Sequence, residues 1–168
     1  MGRLKFTLKA WPAITLITVA LCILTQSVAK LFGIELPDQA NVAAVRSLLF
    51  HAFDSWGFFL RSVQVLAMVL LIMPVTEELA FRWFCFRSFE SKLPDAAGPV
   101  RAVASSVLFS AAHYLQQPFP DNAFLALFFF GLAQCWLYVK TGKLGYPMLN
   151  HSLFNLTNLV LMLILPQA

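Results

Sequence analysis

GFFLRSVQVLAMVLLIMPVTEELAFRWFCFRSF, residues 57–89, is an apolar run that passes through a proline into a segment with two adjacent glutamates and an arginine. Gly57 to Met73 is apolar enough for hydrocarbon, and the helical pattern resumes after Pro74 to about Phe89. One long helix kinked at Pro74, or two helices meeting there, fits both halves, because proline lacks an N–H and crowds the preceding turn. Thr76 stands where it could cap the second half. Glu78 and Arg82 are four apart and share a helix face, whereas Glu77 lies about 100° around. Ionisable groups inside a membrane are expensive and turn toward the bundle interior, so a functional site is expected on this helix.

The composition agrees with a membrane setting. Of 168 residues 60% are hydrophobic and 12% charged, and the mean hydropathy is +0.74. Soluble domains carry about 25% charged residues. A polytopic, all-α transmembrane bundle is expected, one domain over residues 1–168 with five to six spans of about 20 residues each. The net charge of +4 does not point to nucleic acid, since the basic residues are dispersed at the ends of apolar stretches without a basic face. Cys22, Cys85 and Cys135 form no CxxC or CxxH spacing and read as inert buried thiols.

Outward from the glutamate helix, Arg3, Lys5 and Lys9 precede a first span from Trp11 to about Phe32. Ser27-Val28-Ala29 has the small-x-small form of a leader cleavage site, but apolar character resumes after Lys30, so a retained span is expected. Residues 35–56 are the most polar stretch and read as a loop followed by an interfacial helix, Ala40 to Trp56, with His51 isolated on the surface. Lys92 to Pro99 is a turn. Further spans run from Val100 to about Leu115, from Asn122 to Val139 and from about Leu144 to Leu165, with Gln116 to Asp121 and Lys140 to Lys143 between them. Basic residues at the N-terminus, around 82–101 and at 140–143 predict a cytoplasmic N-terminus and an external C-terminus. The expected location is a bacterial plasma membrane.

Two further pairs repeat the spacing of four: Phe109 with His113, and His151 with Asn155. At about 1.5 Å per residue, His113 lies some 20 Å from the turn at Pro99, and His151 about 10 Å from Gly145. With tilt, both can meet Glu77 near mid-membrane. Three charged groups there would cost about 7–10 kcal/mol unpaired, and a Glu78–Arg82 pair would offset much of that. Glu77 is then available for other work. A glutamate and a histidine sharing a water form a general base, and a second histidine with an asparagine supplies donors to an oxyanion.

The motifs Glu77-Glu78-Leu79-Ala80-Phe81-Arg82, Phe109 to His113 and His151 to Asn155, with Thr141 to Pro147 before the last, resemble the CPBP membrane proteases. That family includes type II CAAX prenyl endopeptidases and bacteriocin-processing or self-immunity proteins, and the resemblance covers about residues 70–158. It implies an intramembrane endopeptidase in which Glu77 and His113 activate water and Glu78 assists. Arg82 and Phe109 would support the site, while His151 and Asn155 would stabilise the oxyanion. The partners it implies are the lipid bilayer and a membrane-associated peptide or protein substrate, with no nucleic acid. No cofactor is favoured. The chain lacks HExxH, although Glu77, His113 and His151 could hold zinc. The alternatives are a non-catalytic scaffold or bacteriocin-immunity protein of the same fold, and a proton or solute carrier, for which no internal repeat is visible.

Overall fold

The structure, a computed structural model, describes residues 2–36, 40–87, 98–115, 121 and 123–164, with the main chain alone at 40–43. The turn expected at 92–99 lies outside the described residues up to position 97, as do 88–89, 116–120, Asn122 and Leu165. Among the described residues every regular element is helical: α1 (Arg3–Leu31), α2 (Ala40–Phe50), α3 (Trp56–Phe86), α4 (Gly98–Ala112), α5 (Phe124–Thr141) and α6 (Gly145–Ile164).

α1, α3 and α5 are long and apolar enough to cross a membrane. Their outer faces carry residues such as Leu16, Phe84 and Val139, each more than 60% exposed. A face of that kind is stable against lipid rather than water, and the protein is an integral membrane protein. Two of the five expected spans do not meet the same standard among the described residues. α4 has 15 residues, and the 20 residues of α6 include Asn150, His151, Asn155 and Asn158. These two helices carry the second and third motifs; α4 falls short by length, and the polar residues of α6 dilute its hydropathy. Elsewhere in the spans, hydroxyls close on their own helix: Thr18 donates to the Ile14 carbonyl at 2.8 Å and Thr25 to Leu21 at 2.8 Å, so neither presents an unmet donor to hydrocarbon.

α3 is continuous through Pro74. Ser55 starts it by accepting the Phe58 N–H at 3.3 Å. Wide i→i+5 turns at Met68–Ile72 and Leu79–Phe86 flank an α-helical segment, Met73–Glu78. The proline sits in the first turn of that segment, where a missing N–H is tolerated best. Thr76 does not cap it. Its hydroxyl donates back to the Ile72 and Met73 carbonyls at 2.9 and 3.1 Å. The helix expected over 40–56 ends earlier, at Phe50, and the chain turns through His51–Asp54. His51 is not isolated, because its Nδ1 lies 2.6 Å from exposed Asp54 Oδ2.

The core is built from Ile14, Phe109, Phe130 and Phe154, one each from α1, α4, α5 and α6. α4 and α5 cross closely at Gly131, where a Cβ would stand 2.9 Å from Ser106 Cβ and 3.0 Å from its Cα. Small residues permit such an approach between membrane helices. Hydroxyl bonds pin α4 on both sides: Ser105 donates to the Phe81 carbonyl at 2.7 Å and Ser110 to Phe124 at 2.8 Å. Gly131→Ala should therefore push α4 from α5 and cost about 1–3 kcal/mol. Thermal unfolding in detergent reads the loss, and an unchanged midpoint would refute the close crossing.

Candidate active site

The site is organised around the side chain of Glu78, which is fully buried. Its Oε2 lies 3.1 Å from Arg82 Nε, one turn along α3. Its Oε1 accepts from His151 Nδ1 at 2.9 Å, across to α6. The Arg82 guanidinium stacks 4.5 Å over the Phe109 ring, and its Nη2 donates to the Gly131 carbonyl at 3.4 Å. One carboxylate thus neutralises a buried cation and fixes the rotation of an imidazole. None of Glu78, Arg82 or Phe109 lines the cavity described next.

Glu77, His113, His151 and Asn155 do line it, and its volume is about 470 Å³. Being one residue from Glu78, Glu77 points to a different side of α3. Its Oε2 is 3.7 Å from His151 Nε2. His151 therefore stands between the two glutamates, with each ring nitrogen facing one of them. Phe130 and Phe109 wall the ring, with centroids at 5.0 and 6.0 Å.

His113 is held by its own helix. Its Nδ1 meets the Phe109 carbonyl at 2.9 Å. A carbonyl can only accept, so Nδ1 carries the proton and a neutral ring has its lone pair on Nε2. The turn that bears it, His113–Leu115, is tied to the start of α5 by the Tyr114 hydroxyl, which donates to Asp121 Oδ1. The same oxygen accepts the Ala123 and Phe124 N–H groups at 2.8 and 3.1 Å and so satisfies donors at the start of α5.

Asn155 is engaged with the main chain: its Nδ2 donates to the Val69 carbonyl at 2.8 Å. Asn158 lines the same cavity and was missed by the sequence reading. The signal was present, since His151, Asn155 and Asn158 follow the i, i+4, i+7 pattern of one helix face. The opposite wall comes from α1 through Thr18, Val19 and Cys22. No sequence pattern pointed there, and Cys22 lies on the cavity wall rather than in the packed core, whereas Cys135 is buried. Among the described residues no three His, Cys, Asp or Glu side chains are grouped as a ready metal site.

Three helices fit to cross a membrane thus frame a bundle in which Glu77, His113 and His151 face one cavity. A sequence-family model described as type II CAAX prenyl endopeptidase Rce1-like matches residues 59–157, more than half of the chain and the whole span from Glu77 to Asn155. The protein belongs to that family. No curated protein and no solved structure matches it significantly.

Proposed function

We propose that the protein hydrolyses a peptide bond of a membrane-associated substrate with water activated by Glu77 and His113. The observation that carries this reading is the meeting of Glu77, His113 and His151 at one cavity while Glu78 stays behind them with Arg82. A water between the Glu77 carboxylate and His113 Nε2 can donate one hydrogen to each, which turns its lone pair toward a substrate carbonyl. Attack forms the C–O bond and passes a proton to Glu77. His151, protonated on both nitrogens, keeps its Nδ1–H on Glu78 and offers its Nε2–H to the oxyanion, joined by the second N–H of Asn155. Collapse breaks the C–N bond, and the proton held by Glu77 goes to the leaving amine.

The test is cleavage by purified protein of an internally quenched farnesylated CAAX-motif peptide, chosen from the family's description, beside its unprenylated form. Cutting of both would leave the peptidase reading intact and move the specificity away from the lipid. Cutting of neither by folded protein would count against it.

The mechanism has no metal in it. Zinc, were it used, would draw on Glu77, His113 and His151, with imidazole nitrogens at about 2.0–2.1 Å. The expected result is activity that survives prolonged chelation, with less than one zinc per chain by elemental analysis. Loss on chelation with recovery on zinc would recast both histidines as ligands. The basic residues support an N-terminus in the cytoplasm, in keeping with the expected bacterial plasma membrane. Reporter fusions within 90–99 and at the C-terminus should then report opposite sides, and the same side for both would overturn the orientation.

A further inference from the structure

Pro74 creates a vacancy in the hydrogen-bond ladder of α3, and a side chain from another helix fills it. In the wide turn Met68–Ile72 the Met73 N–H bonds to the Met68 carbonyl. The Val69 carbonyl next in line would need a donor from Met73 or from residue 74. Met73 is committed to Met68, and proline has no N–H. The Val69 carbonyl is therefore left without a donor from its own helix. Asn155 Nδ2, 2.8 Å away on α6, supplies it.

We propose that Asn155 is a positioning residue for Glu77: its bond to Val69 clamps the break in α3 onto α6. Glu77 lies three residues beyond Pro74 on the α3 side, and His151 lies one turn before Asn155 on the α6 side. This bond, acting with the one from His151 to Glu78, therefore sets the separation of Glu77 from His151. The clamp deepens the peptidase reading and rests on Glu77 being the base. It is distinct from the oxyanion role because it uses the other hydrogen of the carboxamide. A misplacement of about 1 Å at such a site costs about a hundredfold in rate.

The bond is needed only because residue 74 is a proline, and this makes it testable. Wild type, Pro74→Ala, Asn155→Ala and the double variant are compared by thermal unfolding in detergent, without substrate. Asn155→Ala should lower the midpoint by about 2 °C or more in the wild-type background, the effect of orphaning one part-buried carbonyl. In the Pro74→Ala background, where a backbone N–H returns, the loss should nearly vanish. On the farnesylated CAAX probe, kcat should fall for Asn155→Ala with KM close to wild type, and the double variant should recover part of that fall. Should Pro74→Ala not fold, Asn155→Asp answers the same question. The new carboxyl can donate to Val69 only when protonated, so kcat and the midpoint should climb from mildly alkaline to mildly acidic pH, unlike those of Asn155→Ala.

Equal losses of stability in both backgrounds, a kcat that does not respond to Pro74→Ala, or a flat pH profile would overturn the clamp. The unfolding measurements stand whether or not the probe is cut, so a failure of the peptidase reading would be recognised separately.

Discussion

Glu77→Gln should leave a folded membrane protein that cleaves its substrate about 10²–10⁴-fold more slowly, the range general-base catalysis contributes. The two side chains have the same size, so the cavity keeps its shape. Glu77 is half-buried and its nearest ionisable partner, His151 Nε2, is at 3.7 Å, too far for a hydrogen bond on which packing depends. Glu77 Oε2 makes no hydrogen bond in the structure, so the change to an amide breaks none there. His151 keeps its bond to Glu78, and only the proton acceptor is lost. Elution and unfolding midpoint like wild type, with cleavage gone, is the expected pair of results. Full activity in a folded Glu77→Gln protein would refute the proposed base.

Arg82→Ala should do the opposite and remove stability first. Both partners of the Glu78–Arg82 pair are completely buried. Breaking such a pair from one side costs about 3–5 kcal/mol, because the remaining charge is stranded in low dielectric. Arg82 also covers the Phe109 ring and donates to Gly131, so the truncation opens a gap among α3, α4 and α5. The measurement is protein level and thermal unfolding in detergent. Glu78→Gln combined with Arg82→Met removes both charges while keeping the volume, and should regain much of the loss. A double variant no more stable than Arg82→Ala would show that neither the stranded carboxylate nor the lost volume sets the cost.

What the sequence disclosed and what it hid follow from distance along the chain. Glu78 with Arg82 and Phe109 with His113 are contacts of a single helical turn, and a spacing of four announces them. The bond from His151 to Glu78 spans 73 residues and that from Asn155 to Val69 spans 86, and no local pattern encodes either. The resemblance therefore offered Glu78 as an assistant to the water and Asn155 as an oxyanion donor. The structure places the first with Arg82 and His151 and gives the second a backbone carbonyl to hold. The wide turns on either side of Pro74 were also illegible. Apolar spacing distinguishes helix from strand but carries no mark of an extra residue in a turn. Helix ends fared better: Gly142, in the left-handed region at φ 65°, closes α5 with its N–H on Tyr138, as a glycine after a basic last turn suggests.

The wall that α1 gives to the cavity lies outside the stretch the family model matches, which begins at residue 59. The residues proposed to break the bond and part of the wall of the cavity they face thus belong to different stretches of sequence. Selection on which peptide is admitted can act on Thr18, Val19 and Cys22 while the motif residues stay as they are. On the proposed peptidase reading, a first helix exchanged between two members of the family is expected to change which peptide is cut while every motif residue stays the same.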